Sequence, residues 1–533
     1  MSSRKKRSKC SKSRSKSVSS LNGERFEEEK INPNEDVNND SFNIKTSKIM
    51  GRYIVASKDL NPGEIILSEA PLVVGPCAGC KVICIACYQL LENSNYAKCF
   101  ECGWPLCKST CNGINKKYGH TQEECLILKS SKSEKFLNYK DFDRLQENFQ
   151  AIVPLRCLIL KESDPKTFEK IAQMESHETI RKCIPDLWSL DKINVIDRIR
   201  LDWGLKEFSE EEIHRICGIL EVNCFEIGQN SVSIRGLYPQ AFLMSHDCIP
   251  NTSHSDEEDF KLTVRASVKI SKNQPITLSY AYTLQGTLKR REHLLENKFF
   301  ECKCLRCKDP TELGTNLGAL ICPKCKRGSV LPLDPLNCES SWSCNNKSQK
   351  CPGYTVTSKS MKLLINRIQS EIDEIDCNDV KKMEYLLEKY RNVLHPNHYL
   401  CLSLKLSLSQ LYGKINGFLI HELTDELLER KIEICREILK IFDVLEPGYT
   451  RIRGVTLYEL HAPIMIMVSR KFEKQQITKS ELKHLLREVV RYLEEASVIL
   501  SYEPSSTSEG IMGIAAKEAL GRIKDWGNVI GRI

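Results

Sequence analysis

The stretch CIACYQLLENSNYAKCFECGWPLCKSTCNGINKKYGHTQEEC, residues 84–125, decides how the chain is read. Inside it stand Cys84, Cys87, Cys99, Cys102, Cys107, Cys111, His120 and Cys125. The first four make two C-x₂-C pairs, the next two a C-x₃-C pair, and His120 and Cys125 close the set. A C-x₂-C turn lets neighbouring sulfurs face one tetrahedral ion, and eight such ligands suffice for two closed Zn²⁺ sites. A segment this short buries too little apolar surface to fold alone, so metal binding supplies its folding free energy. The pattern reads as two structural zincs.

Cysteine usage also sets the compartment. The chain has 533 residues and 26 Cys, nine of them in 77–125 and eight in 302–351. An extracellular disulfide scaffold is small and needs a secretory signal, whereas this sequence opens with Lys and Arg. Reduced, metal-bound cysteines in the nucleus and/or cytoplasm fit better. No run of about eighteen apolar residues exists, so no membrane association is expected. A hydrophobic share of 41% and a charged share of 28% describe a large soluble protein of two or more domains. The net charge of +8 is uneven, because RKKRSKCSKSRSK at 4–16 holds eight basic residues and no acid. Residues 1–45 read as a disordered basic and acidic tail, and the basic run as a nuclear-import signal or a solvated arm. Without it the chain is close to neutral, so nucleic-acid contact is weak at most.

Order is expected from near Met50, with two short strands around the Asn-Pro-Gly turn at 61–63. Helical periodicity runs roughly from Leu126 to Leu220. Val232–Leu237, Phe260–Val268 and Pro275–Tyr280 are strand-like again, and MSHDCIPNT at 244–252 is too polar and turn-prone for a regular element. The C-terminal third is helical. Leu482, Leu485, Leu486, Val489, Leu493, Ala496 and Leu500 form one stripe behind a Thr478-x-x-Glu481 capping box. Cys435, Ile438, Leu439, Phe442 and Leu445 form another, and a further helix is read from Pro396 to Tyr412.

The order GRYIVASKDLNPGE, the Cys-rich finger, NCFEI, GLYP, SHDCIPN, LSYAY and CKCLRC resembles the SET and MYND (SMYD) family. CIACYQLL, CGWPLC and GTLKRREHLLENKFFECKCLRCKDPTELGTNLGAL are similar to its arthropod-specific branch. The resemblance runs from about residue 47 to 533. It implies an α+β multidomain fold: a β-rich SET core split by a MYND zinc finger and a helical insertion, then an all-α, tetratricopeptide-like C-terminal domain. The implied boundaries are 46–76 for the first part of the SET core, 77–125 for the finger and 126–220 for the insertion. The rest of the core then falls at 221–285, a post-SET zinc segment at 286–310, a further Cys-rich segment at 311–356 and the helical domain at 357–533.

The family pattern pairs Cys84, Cys87, Cys107 and Cys111 on one zinc and Cys99, Cys102, His120 and Cys125 on the other. His120 and Cys125 are four residues apart, where the family usually has three. Cys77 and Cys80 lie outside the pattern and read as spare thiols. Cys302, Cys304 and Cys307 follow C-x-C-x₂-C spacing, and the family draws their fourth ligand from Cys248. Cys322 and Cys325 form another knuckle, followed by Cys338, Cys344 and Cys351 around Trp342. There Lys347 stands where arthropod relatives look as though they carry cysteine, so Cys351 takes its place beside Cys344. Three zincs are expected, with residues for a fourth.

By the same resemblance the chain is a protein-lysine N-methyltransferase that uses S-adenosylmethionine on histone or non-histone proteins, in transcriptional regulation. Tyr280 matches the catalytic tyrosine. Arg52, Asn223, Ser245, His246 and Phe300 match methyl-donor contacts. Two positions depart from the pattern: Ser245 replaces the usual Asn, and Tyr53 stands where a second glycine is common. The alternative is a catalytically weak or inactive adaptor whose finger binds a corepressor or histone deacetylase complex. A monomer and a protein lysine as substrate are implied in the first case.

Overall fold

The computed structural model describes residues 40–530, except 93–95, 138–141, 228–231, 258, 347–350 and 352. The basic run and most of the 1–45 tail lie outside these residues, and so does Lys347. Among the described residues sixteen short strands form the β part, in small sheets rather than one large one.

Order starts earlier than read. β1 (Phe42–Ser47) pairs antiparallel with β2 (Gly51–Ala56), from Phe42 opposite Ala56 to Ser47 opposite Gly51. Phe42 is buried and Ile44 half-buried, while Asn43 and Lys45 between them are exposed. That period of two is what a strand with one covered face requires. The last residues of the segment assigned to the tail are therefore structured. Residues 46–76 also hold three strands and not two, because β3 (Ile65–Glu69) and β4 (Val73–Pro76) follow the 61–63 turn.

The chain then leaves the core and returns. β5 (Ala97–Lys98) and β6 (Pro105–Leu106) lie in the finger. Helices follow, chiefly Gln122–Ser130, Ile152–Ser163 and Glu210–Asn223. β7 (Phe225–Glu226) and β8 (Ile234–Leu237) join β4, β8 in the middle. β9 (Ser245–His246), β10 (Thr252–Asp256), β11 (Leu262–Ala266) and β12 (Thr277–Leu278) complete the core. β11 sits between β10 and β3. The stretch 244–252, read as irregular, contains β9, which pairs in parallel with β12. That pairing satisfies backbone groups in a segment whose side chains are mostly polar.

The finger is not a free-standing module. Trp104 is wholly buried, its ring edge-to-face with Phe149 at 5.6 Å and Trp203 at 5.9 Å. Its indole Nε1 donates to Ser133 Oγ at 2.9 Å. Ile83, Ile85, Tyr88 and Leu106 share one apolar core with Phe149, Ile152 and Leu155 of the insertion. The Cys and His residues that could hold metal gather the finger's own loops, and the insertion covers its apolar side.

After the helix Thr287–Asn297, four strands form a further small sheet: β13 (Leu320–Ile321), β14 (Ser329–Pro332), β15 (Trp342–Cys344) and β16 (Thr355–Val356). The helical domain follows as Ser358–Asp373, Val380–Lys389, Tyr399–Leu411, Asp425–Leu445, Arg451–Glu473, Lys479–Leu500 and Ser508–Ile530. Thr357, Asp379, Thr424 and Thr478 cap four of these, accepting backbone N–H groups that the first turn leaves unpaired. The Thr478–Glu481 capping box is present in full. Its stripe is buried, Leu485 excepted, which is half-buried. Among the described residues no helix is long and apolar enough to cross a membrane.

The domain docks on the SET core at Gly448. Tyr449 N–H donates to Ser267 O at 2.8 Å, and Ser253 Oγ donates to Tyr449 O at 2.9 Å. Gly448 has φ +79°, and a Cβ there would lie 2.0 Å from Ser267 O. Only glycine allows this approach.

Candidate functional site

Four quartets of ligand atoms come together, each within 4.8 Å of one another. They are Cys84, Cys87, Cys107 and Cys111; Cys99, Cys102, His120 and Cys125; Cys248, Cys302, Cys304 and Cys307; and Cys322, Cys325, Cys344 and Cys351. Sulfur pairs lie at 3.7 Å (Cys84–Cys111), 3.6 Å (Cys87–Cys107), 3.5 Å (Cys248–Cys307) and 3.8 Å (Cys325–Cys344). A tetrahedral ion with bonds of about 2.3 Å separates its sulfurs by roughly 3.8 Å, whereas a disulfide needs about 2.05 Å. The residues therefore fit Zn²⁺ and not cross-links. Cys77, Cys80 and Cys338 stand outside the quartets.

The second quartet has a support that the sequence reading missed. His120 turns Nε2 toward Cys102 Sγ at 3.3 Å and Nδ1 to Glu124 Oε1 at 2.6 Å. Glu124, four residues on in a helix, is itself held by Arg156 Nε at 2.5 Å and Nη2 at 3.1 Å. Arg156 also donates to Val74 O at 2.8 Å and Ile85 O at 3.1 Å, which ties finger, insertion and core together. A carboxylate behind a ligating histidine fixes its ring and tautomer. The H-x₃-E spacing was a usable signal; Arg156 had none.

The third quartet rests on two wholly buried arginines. Arg290 Nε reaches Cys248 Sγ at 3.4 Å, and its Nη1 pairs with Glu312 Oε2 at 2.7 Å. Arg306 donates to the same Oε2 from Nη2 at 3.0 Å and to Cys248 O from Nη1 at 3.1 Å. Positive charge packed against the sulfurs of Cys248 and Cys307 favours their thiolate form, which is the form that binds metal.

From this quartet the chain builds a recess. The tip of the SHDC segment turns His246 so that its Nε2 lies 3.3 Å from Cys248 Sγ, while its Nδ1 accepts Tyr280 N–H at 2.9 Å. Because the peptide must donate to Nδ1, the ring proton sits on Nε2 and points at sulfur. The Tyr280 hydroxyl donates to Met244 O at 2.6 Å. Burial raises its pKa to about 12, so it stays a neutral phenol at physiological pH. The rings of His246 and Phe300 lie 5.3 Å and 6.3 Å from that of Tyr280, and 5.7 Å from each other. Phe299 has φ +61°, a turn that splits the adjacent rings. Phe299 goes to His177 and Arg181 of the insertion, and Phe300 to the recess.

The other expected contacts sit nearby with different degrees of freedom. Asn223 gives both amide hydrogens to backbone, at 2.8 Å to Glu175 O and 2.8 Å to Ile219 O, leaving its oxygen available. Lys298 Nζ binds Glu221 O and Val222 O at 2.9 Å each and lies 6.0 Å over the Tyr280 ring. Burial lowers its pKa. Arg52 donates to Gln173 O at 2.9 Å and lies over Phe242 at 5.5 Å. Tyr53, next on β2, projects from the opposite face, since side chains alternate along a strand. Ser245 is half-buried, and its hydroxyl has no partner among the described residues.

A SET domain family model matches residues 51–281, ending one residue after Tyr280. Over 435 residues the sequence is 27% identical to the SET domain-containing protein SmydA-8, isoform A, of Drosophila melanogaster, covering 79% of this chain and 88% of that one. These matches support a SMYD-family protein. Two further relatives are named as histone-lysine methyltransferases. The Histone-lysine N-methyltransferase SMYD3 of Mus musculus is 26% identical over 48% of this chain and 60% of its own. The Arabidopsis thaliana Histone-lysine N-methyltransferase ASHR1 is 24% identical over 85% and 95%. The fly relative agrees with the arthropod branch. Among solved structures, the SET domain of LSMT bound to lysine and AdoHcy aligns over 92% of this chain and 91% of that one, at 12% identity and a TM-score of 0.26.

Proposed function

We propose that this SMYD protein is a protein-lysine methyltransferase, using S-adenosylmethionine to modify a histone or another protein in the nucleus and/or cytoplasm, with a role in transcriptional regulation. The observation that carries the reading is the Tyr280 hydroxyl, hydrogen-bonded to Met244 O and flanked by His246 and Phe300. Relatives named as histone-lysine methyltransferases support it.

The recess suits the donor. Phe300 offers a ring face, Ser245 a hydroxyl with spare capacity, and Asn223 an oxygen. Bound there, S-adenosylmethionine supplies a methyl group activated by its sulfonium. The remaining work is alignment and dehydration of the acceptor amine. Tyr280 remains protonated, so it orients and does not act as a base. Met244 O supplies an acceptor beside it. Lys298 places a fixed cation near the ring, which favours the neutral, nucleophilic form of an arriving amine.

Calorimetric titration with S-adenosylmethionine tests the reading, followed by Tyr280→Phe. Binding should persist in the variant while methyl transfer falls by about 100-fold. Ser245→Asn should tighten donor binding about three- to tenfold by one added hydrogen bond. A second reading, the adaptor, is favoured by one observation: Asn223 has already committed both amide hydrogens to backbone. Absence of donor binding in both wild type and Ser245→Asn would select that reading, with a corepressor peptide on the finger as the activity left to measure.

A further inference from the structure

One row of the sheet β10–β11–β3 ends on a carboxylate. Leu262 of β11 stands opposite Glu69 on one side and Asp256 on the other, and Leu262 is wholly buried, so the row faces the core. From there Glu69 crosses to the segment that leads into the Tyr280 recess. Its Oε1 accepts Ala241 N–H at 2.7 Å and Gln240 N–H at 3.1 Å. These amides open the short helical turn Ala241–Leu243, which the side chain of Gln240 leaves uncapped. The cap is supplied from a strand 171 residues earlier. Met244, the residue after the turn, takes the Tyr280 hydroxyl on its carbonyl at 2.6 Å. Phe242, inside the turn, lies 5.5 Å from the Arg52 guanidinium.

The surroundings give this carboxylate no cation. Glu69 has no ion pair among the described residues, and its Oε2 is buried without a hydrogen-bond partner. The same face of β10 carries Asp256, which burial raises to about 6, and His254, whose ring lies against Phe225. After β8 comes Tyr238, whose hydroxyl donates to Phe260 O at 2.6 Å and which burial keeps protonated. Arg265 of β11 points the other way, over Tyr502 at 4.6 Å. Burial pushes the Glu69 carboxyl up to about 7, against the pull of its two N–H bonds. An ionised oxygen is the better acceptor, so the grip on the turn is firmest above neutral pH.

We propose that Glu69 is a positioning residue for the recess: its carboxylate clamps the Gln240–Ala241 backbone and so sets where Met244 O stands against the Tyr280 hydroxyl. Its consequence for catalysis rests on the reading of that recess as a methyl-transfer site. Glu69 acts only through the turn. The donor side has anchors of its own, since His246 is held at both ring nitrogens. Met244 O has none beyond Tyr280 and the clamp, so losing Glu69 disturbs the acceptor side first.

The first test needs no activity. In the full, zinc-loaded chain, isotope-labelled at alanine nitrogen, the Ala241 amide resonance is assigned through Ala241→Gly and followed against pH. It should shift with a midpoint near pH 7 in the wild type and stay still in Glu69→Gln. A resonance that is fixed between about pH 5.5 and 9, or that moves alike in Glu69→Gln, overturns the proposal. The second test reads methyl transfer. Glu69→Ala should lower kcat by about tenfold or more while S-adenosylmethionine affinity changes less than about twofold. Glu69→Gln should recover most of kcat, because an amide oxygen still accepts from both N–H groups. An unchanged kcat in Glu69→Ala, or equal losses in kcat and donor affinity, overturns the positioning role. A wild type that transfers no methyl group removes the activity reading alone, and the Ala241 resonance then decides whether Glu69 holds the turn.

Discussion

In the finger, strands of two residues and bare turns are gathered by seven cysteines and one histidine. In the helical domain, Lys479–Leu500 carries a continuous apolar stripe and its own cap, and packs between Arg451–Glu473 and Ser508–Ile530. Each reaches a buried interior, but the finger's stability is concentrated in a few bonds and the helical domain's is spread over many contacts. Concentrated stability fails all at once; distributed stability fails by increments.

Metal removal should separate the two most sharply. Chelation is expected to abolish amide protection across 77–125 and to loosen Ile152–Ser163 and Glu210–Asn223, because Trp104 joins their core. Protection in 357–530 should survive. Hydrogen exchange by mass spectrometry reads this, and elemental analysis should first find four zincs per chain, one per quartet. A count of two or fewer removes the Cys248 site from consideration.

A smaller blow of the same kind is Glu124→Gln. It leaves Arg156 buried without its charge partner, at a cost of roughly 3–5 kcal/mol, and should weaken zinc retention at His120. Retention unchanged in a competition with a metallochromic chelator would disprove the support role. In the other region, Leu493→Ala deletes one contact of a wholly buried stripe and should cost about 3 kcal/mol without releasing metal.

Acid offers a finer comparison. His398 is wholly buried, accepts Leu400 N–H on Nδ1, and has its pKa lowered to about 3 by burial. The unfolded chain takes up its proton near pH 6.5 and the folded chain does not. Stability from this group is thus complete above pH 6.5 and declines as pH falls toward 3, by about 1.4 kcal/mol per unit within that window. His398→Asn should flatten the slope of amide exchange in Tyr399–Leu411 against pH. Smallest of all, Thr478→Ala should cost about 1 kcal/mol, visible as fraying of the first turn of Lys479–Leu500 alone.

What could be read from the sequence follows the range of the forces involved. Sulfur spacing is local, so the finger's ligands were legible, and the helix stripes were legible through their period. The fourth ligand of the third site was not, since Cys248 lies 54 residues before Cys302 and only the family resemblance joined them. β1 was passed over because its Asn, Lys, Thr and Ser look like tail, although Phe42 and Ile44 carry the alternation. Arg156, Arg290, Arg306 and the Trp104–Trp203 contact depend on distant pairings that no window of sequence contains. In the recess, Tyr280, His246 and Phe300 come together, whereas no local pattern marks Asn223 as spending its amide on backbone.

Within Ser245-His246-Asp247-Cys248, neighbours differ in what they can change. His246 is gripped at both ring nitrogens, and Cys248 is wrapped by three sulfurs and a guanidinium. The Ser245 hydroxyl has no hydrogen-bond partner among the described residues. Drift in the gene is therefore channelled: substitutions at 246 or 248 damage the fold before they alter the chemistry, while substitutions at 245 leave the fold alone and retune the pocket. The one departure from the family pattern in this segment falls where the protein could accept it.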